Sequence, residues 1–200
     1  MPAIILAAGA SRRLGQPKQL VKIGDETLLE RTIRVVREAG VEPVFVVLGA
    51  HREQILARCD LSLVNVIDNP DWGEGIASSI RVGVSAIEAD NPQASEVMLL
   101  VCDQPALTAK HLRAMVDASE NGAAIVASLY AETAGIPAIF PARQFERLLA
   151  LRGDQGARLL LRESQCQLVT VPFSGGEMDV DTPADLAAVL VLKDAKTSDL

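Results

Sequence analysis

The order of apolar runs along this chain predicts an α/β fold built on a mostly parallel sheet. Short apolar runs of strand length alternate with apolar residues at helical spacing, and strands separated by helices are βαβ units with right-handed crossovers. Aromatic residues are scarce, with one Trp, one Tyr and four Phe, although 49% of the chain is hydrophobic. A core of Val, Leu, Ile and Ala suits strands buried on both faces better than the half-wet sheets of a sandwich. At 200 residues the chain fits a single domain, residues 1–192, followed by the polar tail KDAKTSDL at 193–200, which is expected to fray.

Each element follows from its own pattern. Ala3–Ala7 is an unbroken apolar run and reads as a buried strand. Leu28, Leu29, Thr32, Ile33 and Val36 repeat at helical spacing until Gly40 stops them. Val44–Leu48 is a second strand, His51–Arg58 a short helix and Leu63–Ile67 a third strand. Ile76, Ile80, Val84 and Ile87 mark one face of a helix that starts near Gly75. Val97–Cys102 is a wholly apolar strand that Pro105 keeps from continuing. A helix over Ala109–Ser119 and strands at Ala123–Leu129 and Ile136–Phe140 follow. Helices near Ala142–Leu151 and Gln155–Arg162 then precede a strand at Gln167–Val171. Thr182, Pro183 and Asp185 form a capping-box pattern that opens the last helix.

Charge and cysteine usage exclude several classes. A net charge of −7 argues against a nucleic-acid groove or a basic membrane surface, so neither is expected as a partner. It allows a phosphorylated small substrate, provided the basic groups are gathered, as Arg12, Arg13, Lys18 and Lys22 are. Cys59, Cys102 and Cys166 are odd in number, widely spaced and without a CxxC, which disfavours a disulfide framework or zinc site. No apolar stretch is long enough to span a bilayer, and the N-terminal run lacks a positive flank. A soluble, reduced, cytoplasmic protein is the expectation.

In an open parallel sheet, ligands sit beyond the carboxyl ends of the strands, and the polar clusters of this chain fall there. After the first strand comes Ala8-Gly9-Ala10-Ser11-Arg12-Arg13-Leu14-Gly15-Gln16-Pro17-Lys18. Glycines let backbone approach a ligand closely, while N–H groups and cations neutralise phosphate. The loop is neither a Walker A loop nor GxGxxG, and a basic surface loop would look similar. Asp103, directly after an apolar strand, is placed to hold Mg²⁺, which takes oxygen ligands, or simply to turn the chain before Pro105. Asp179 and Asp181 precede the capped last helix; one could supply a second carboxylate, or Asp181 could favour the positive helix end. Gly73–Ser79 opens a helix with glycines and hydroxyls, which suits an anion, a sugar or ordinary capping. Gly153–Arg158 is a polar loop in which Arg158 reads as a surface residue, and Trp72 as a cleft wall or loop anchor. His51 and His111 lack a Ser or Cys partner in the sequence and read as solvated histidines near helix ends. Cys102 reads as a small buried core residue.

Taken together, LAAGASRRLGQPKQL, GEGIASSIRVGV, CDQP, GIPAIF, GDQGAR and DVDTPADL occur in an order that resembles the MobA-like nucleotidyltransferases, closest to the molybdopterin cytidylyltransferases. The resemblance extends over nearly the whole chain. It implies a Rossmann-like three-layer sandwich of the nucleotide-diphospho-sugar transferase type. By position, Leu6, Ala7, Ala8 and Gly9 would border base and ribose, Arg13 and Lys18 would clamp the triphosphate, and Ser78 and Ser79 would meet the base. Asp103 would bind Mg²⁺, with Asp181 the second ligand. Relatives that use GTP resemble LAGG where this chain has Ala8, which with EGIASSI favours CTP.

The implied reaction is attack of a molybdopterin phosphate oxygen on the α-phosphorus of CTP with release of pyrophosphate, and a molybdoenzyme would receive the product. Such transfer needs positioning and charge neutralisation more than a covalent nucleophile. Three alternatives stand beside it: another phosphorylated acceptor such as a sugar phosphate, a non-catalytic molybdenum-cofactor accessory protein, and a reductase. The lack of GxGxxG argues against the last.

Overall fold

The computed structural model describes residues 1–119, 122, 124–163 and 168–197. Its strands are β1 (Ala3–Leu6), β2 (Lys22–Ile23), β3 (Glu26–Thr27), β4 (Val44–Leu48), β5 (Asn65–Asp68), β6 (Glu96–Val101), β7 (Ile125–Tyr130), β8 (Thr133–Pro141) and β9 (Leu168–Pro172). Between and after them run α1 (Leu28–Glu38), α2 (Arg52–Leu56), α3 (Ile76–Asp90), α4 (Ala109–Ala118), α5 (Phe145–Leu149), α6 (Arg158–Glu163) and α7 (Pro183–Thr197).

The main sheet has seven strands in the order β5-β4-β1-β6-β8-β7-β9, and β2 pairs with β3 in a small separate ribbon. β1 lies parallel to both β4 and β6. Alternation along β1 explains the layers. Ala3 and Ile5 pack into one core with Leu29, Ile33 and Val36 of α1 and Leu112 and Met115 of α4. Ile4 and Leu6 face the other core, with Ile80 and Val84 of α3, Leu148 of α5 and Leu161 of α6. Strands buried on both faces read as continuous apolar runs, and these do. Gly83 lets α3 lie close on the sheet, since a Cβ there would stand 2.8 Å from Ile4 Cγ2.

The predicted class therefore stands: a mostly parallel sheet between helical layers. The exception is β8, antiparallel to both β6 and β7. Its cause is local. Ala131 and Glu132, between β7 and β8, both have left-handed φ (45° and 59°), as a tight type I′ hairpin turn requires.

Several boundaries differ from the sequence expectation. The third strand is Asn65–Asp68 instead of Leu63–Ile67, and Leu63 is 63% exposed. The helix expected over Ala142–Leu151 is a 3-10 turn, Ala142–Gln144, running into the short α5. α6 begins at Arg158, after the loop that was expected to be its first turn. The last helix runs through Thr197, past Leu192, where a fraying tail was expected. The expected strand starts at Ala123 and Gln167, and Cys166, lie outside the described residues. The capping box on α7 is formed: Thr182 N–H donates to Asp185 Oδ2 at 2.8 Å, and Asp185 N–H donates to Thr182 Oγ1 at 3.3 Å. A second box, Thr27 with Glu30, starts α1. No described helix is long and apolar enough to cross a membrane.

His111 corrects another expectation. It is not solvated: it stacks on Phe173 with ring centroids 4.4 Å apart, and its Nε2 lies 2.8 Å from Ser128 Oγ. Burial lowers its pKa from the ordinary 6.5, against a backbone hydrogen bond at Pro172 that raises it. A histidine held neutral in the fold stabilises fully above its unfolded value and loses that contribution as pH falls through the folded one. The stability difference between wild type and His111→Leu should therefore narrow as pH falls from about 7.5 to about 5, measured by urea unfolding; a constant difference would contradict the neutral assignment.

Candidate active site

β1 pairs with β4 on one side and with β6 on the other, and the chain crosses from β5 over to β6 through α3. The carboxyl ends of β1 and β6 therefore flank the topological switch point, where an open α/β sheet forms its crevice. A cavity of about 500 Å³ opens there. Leu6, Ala7, Ala8 and Gly9 line it, with Lys18, Trp72, Ser79 and Asp103.

The loop after β1 is anchored from below. Leu14 and Val21 are buried against Leu28, Val180 and Val189, a small core separate from the two beside the sheet. Burying such side chains stabilises by about 1.5–3 kcal/mol each, which fixes the loop to α1 and α7. The loop's carbonyls are engaged by the protein. Gln19 Nε2 donates to Ala7 O at 2.7 Å and Gly9 O at 3.0 Å. The Ala50 N–H donates to Ala8 O, and His51 Nε2 lies 3.1 Å from Ala10 O. An anion needs N–H groups, and carbonyls satisfied from behind do not oppose it. Neither periodicity nor spacing marks Gln19 or His51 as a brace of this kind.

The charges converge on one ammonium. Lys18 Nζ donates to Asp103 Oδ2 and, at 2.9 Å, to Asp181 Oδ1. Arg13 donates to Asp181 Oδ2 at 2.6 Å, although its side chain is 73% exposed. Asp103 also takes the Val180 N–H on its own carbonyl at 3.0 Å, tying the segment before α7 to the end of β6. Gln104 reinforces this by donating to Gly176 O at 2.9 Å and Ile136 O at 3.1 Å. Burial opposes the Lys18 charge, but Asp103 and Asp181 outweigh it and raise its pKa. Asp103 Oδ1 is buried and has no hydrogen-bond partner. Asp179, nearby, is held up at about 6 by partial burial and by the charges of Asp103 and Asp181. The Cys102 thiol is buried and pushed up to about 12, chiefly by desolvation, which makes it a poor nucleophile.

Of the paired serines, only Ser79 lines the cavity. Ser78 is buried with its hydroxyl committed, donating to Gly75 O at 2.8 Å and accepting from Asn69 Nδ2 at 2.9 Å. Trp72 is both wall and anchor: a Cβ on Gly49 would stand 2.6 Å from Trp72 Cβ. Arg12 lines the cavity and Lys22 is exposed on β2.

A second cavity of about 530 Å³ shares the Ile76, Val101, Asp103 and Asp154 edge with the first. Arg158, expected on the surface, lines it. Its Nη2 donates to the Tyr130 hydroxyl at 3.1 Å, and its guanidinium lies 5.9 Å from the centre of that ring. Asp154 lines both cavities and carries no signal of its own within the polar Gly153–Arg158 loop.

The residues also allow a test of the expected divalent cation. Mg²⁺ is held by hard oxygen donors, often one or two carboxylates completed by water and substrate phosphates. Among the described residues no group of three or more His, Cys, Asp or Glu could hold a metal ion. Two carboxylates on one cation, one with a buried oxygen unpartnered, fit an ion that shares its ligands with a substrate.

Residues 3–169 match the family described as a MobA-like NTP transferase domain. The chain is 29% identical over 198 residues to the nicotine blue oxidoreductase of Paenarthrobacter nicotinovorans, covering 94% of this chain and 95% of that protein. It is 29% identical to a probable molybdenum cofactor guanylyltransferase of Opitutus terrae (84% and 83% covered) and 24% identical to the molybdenum cofactor cytidylyltransferase of Escherichia coli (91% of each). Among solved structures, Rv0371c of Mycobacterium tuberculosis H37Rv superposes with a TM-score of 0.81 at 30% identity, over 95% of this chain and 96% of that one. A further crystal structure of that protein is a manganese complex.

Removing one partner of a largely buried ion pair leaves the others uncompensated, which costs about 3 kcal/mol or more. Lys18→Met, which leaves Asp103 without its cation and Asp181 with Arg13 alone, should lower the unfolding free energy at neutral pH by about that amount in chemical denaturation. A loss below about 0.5 kcal/mol would mean that solvent screens the triad as it does a surface pair.

Proposed function

The chain belongs to the MobA-like NTP transferase family, and we propose that within it the protein moves CMP from CTP to the phosphate of a molybdopterin-type cofactor. An oxygen of the acceptor phosphate bonds to the α-phosphorus of CTP, the bond from that phosphorus to the β-bridging oxygen breaks, and pyrophosphate leaves. The observation that carries the reading is the meeting of two cavities along the edge that holds Asp103, beside Lys18. A two-substrate transfer needs adjoining rooms and a charged seam between them, because its rate comes from positioning and from neutralising the spread phosphate charge.

The cavity at the switch point takes the nucleotide in this reading. The backbone of Leu6, Ala7, Ala8 and Gly9 borders base and ribose, and Ser79 meets the base. Ser78 supports Ser79 through the shared Asn69 amide, which is 2.9 Å from each hydroxyl. Lys18 and Arg13 turn from the carboxylates to the triphosphate. Asp103 and Asp181 would hold Mg²⁺, which when bound supplies charge neutralisation at the phosphates. The preference for CTP rests on Ala8 and the EGIASSI segment, by resemblance to cytidylyltransferases. The acceptor enters the second cavity, where Arg158 meets its negative charge. The product would pass to a molybdoenzyme, in a cytoplasmic setting.

Two measurements test this. In thermal shift with CTP, GTP, ATP and UTP, each with Mg²⁺, CTP should stabilise most, by about 2.7 kcal/mol at one hundred times its dissociation constant. An equal response to all four, or none, removes the CTP reading. Asp103→Ala should leave the fold intact and lower pyrophosphate release in the presence of molybdopterin cofactor by about a hundredfold or more. Unchanged turnover would take Asp103 out of the mechanism.

A further inference from the structure

The edge shared by the two cavities runs through Ile76, Val101, Asp103 and Asp154, and a carboxylate outside it helps to tie the start of α3 to the loop that carries Asp154. Glu74 sits in the 3-10 turn Trp72–Glu74, just before α3. One of its carboxylate oxygens accepts from Arg81 Nη1 at 2.8 Å and the other from Arg81 Nη2, in the second turn of α3. The first oxygen also accepts the Gly153 N–H at 3.1 Å, from the loop that carries Asp154. Arg81 reaches the same loop itself, donating to Leu151 O at 2.9 Å. Backbone completes the seam where the Ala77 N–H donates to Gly153 O at 3.1 Å.

Close approach is possible only because residue 75 is a glycine. A Cβ there would stand 2.4 Å from Gly153 O and 2.5 Å from Asp154 Oδ1, and its φ of +125° is one that side chains rarely adopt. What this seam holds in place is Asp154, which lines both cavities, and the Gln155–Arg158 stretch, which lines only the second. Glu74 lines neither. Its carboxyl is held down at about 2, first by Arg81 and then by the Gly153 N–H, so it stays ionised at any working pH.

We propose that Glu74 is a positioning residue that clasps the 151–156 loop to the start of α3 and so fixes the shared edge against which the phosphorylated acceptor binds. The acceptor half of this statement rests on the transferase reading above. The clasp bears more heavily on the acceptor side. When it is cut, the nucleotide cavity keeps the loop after β1, Lys18 and Asp103 and is disturbed only along its rim of Trp72, Gly73, Gly75 and Asp154, whereas the acceptor cavity loses the setting of Gln155, Gly156, Ala157 and Arg158.

The test is Glu74→Ala, with Glu74→Gln as the conservative variant that keeps an oxygen for Gly153 but loses the charge against Arg81. In hydrogen exchange, the 151–156 segment of Glu74→Ala should exchange about tenfold faster while the central strands remain protected. With CTP, Mg²⁺ and molybdopterin cofactor, the acceptor KM should rise about tenfold with kcat within about threefold. The CTP-induced thermal shift should fall by a smaller factor than the acceptor affinity does, and Glu74→Gln should lie between wild type and Glu74→Ala. Unchanged exchange at 151–156 overturns the clasp, and faster exchange with an unchanged acceptor KM overturns its role toward the acceptor. Faster exchange throughout the protein, with both substrates weakened alike, reduces Glu74 to a stabilising contact and overturns the proposal too. A wild type that shows no turnover with any phosphorylated acceptor defeats the transferase reading instead. It is told apart because exchange at 151–156 still distinguishes the variant, leaving the clasp standing without the acceptor.

Discussion

Four residues, Ala3 to Leu6, set the terms for everything around them. β1 is hydrogen-bonded on both edges and packed on both faces, and none of its residues is more than 7% exposed. No polar group of the side chains can be accommodated along it, so the first polar chemistry the chain can offer comes where it ends. The parallel neighbours end at the same level, with Leu6 in register with Val47 on one side and Val101 on the other. Two loops that leave the sheet at one height, on adjacent strands, must share a crevice. The site is thus a consequence of strand order before it is a consequence of any one side chain.

Within that crevice, electrostatics decides the local shape. Ammonium and carboxylate attract strongly where water is partly excluded, yet desolvation takes back much of the gain. Lys18 tolerates its setting because two carboxylates, from segments far apart in the chain, meet it together. The price appears at Asp103, whose second oxygen is buried without a partner. An unsatisfied buried oxygen is costly in a finished fold, and Asp103 stands on the edge that the two cavities share.

Much of this was legible in the sequence. The apolar runs of β1, β4 and β6 could hardly be anything other than buried strands, and Leu28 to Val36 could only be one face of a helix. Asp103 could be named because it stands just beyond β6, whereas Arg13, Lys18 and Asp181 are singled out by the resemblance to the MobA-like transferases. What escaped reading depends on partners distant in sequence. Arg158 looks like a surface residue until Tyr130 is seen beneath it. His111 lies in the first turn of a helix whose face is covered by Phe173 and β7, and nothing local announces that cover. Antiparallel β8 was hidden because Ala131-Glu132 makes a tight turn without the Asn-Gly or Asp-Gly that usually signals one. The Glu74–Arg81 pair escaped for the same reason: Glu74 lies before Gly75 and outside α3, so no helical spacing announces it.

The two cavities also divide the chain. Apart from Asp154, the residues lining the first come from Leu6 to Asp103. Apart from Ile76 and Val101, those lining the second come from Asp103 to Asp179. Asp103 is thus a seam in the sequence as well as in space. Asp154 apart, substitutions after it can reshape the second room while the lining of the first stays as it is, so a lineage with this architecture can vary one cavity without rebuilding the other.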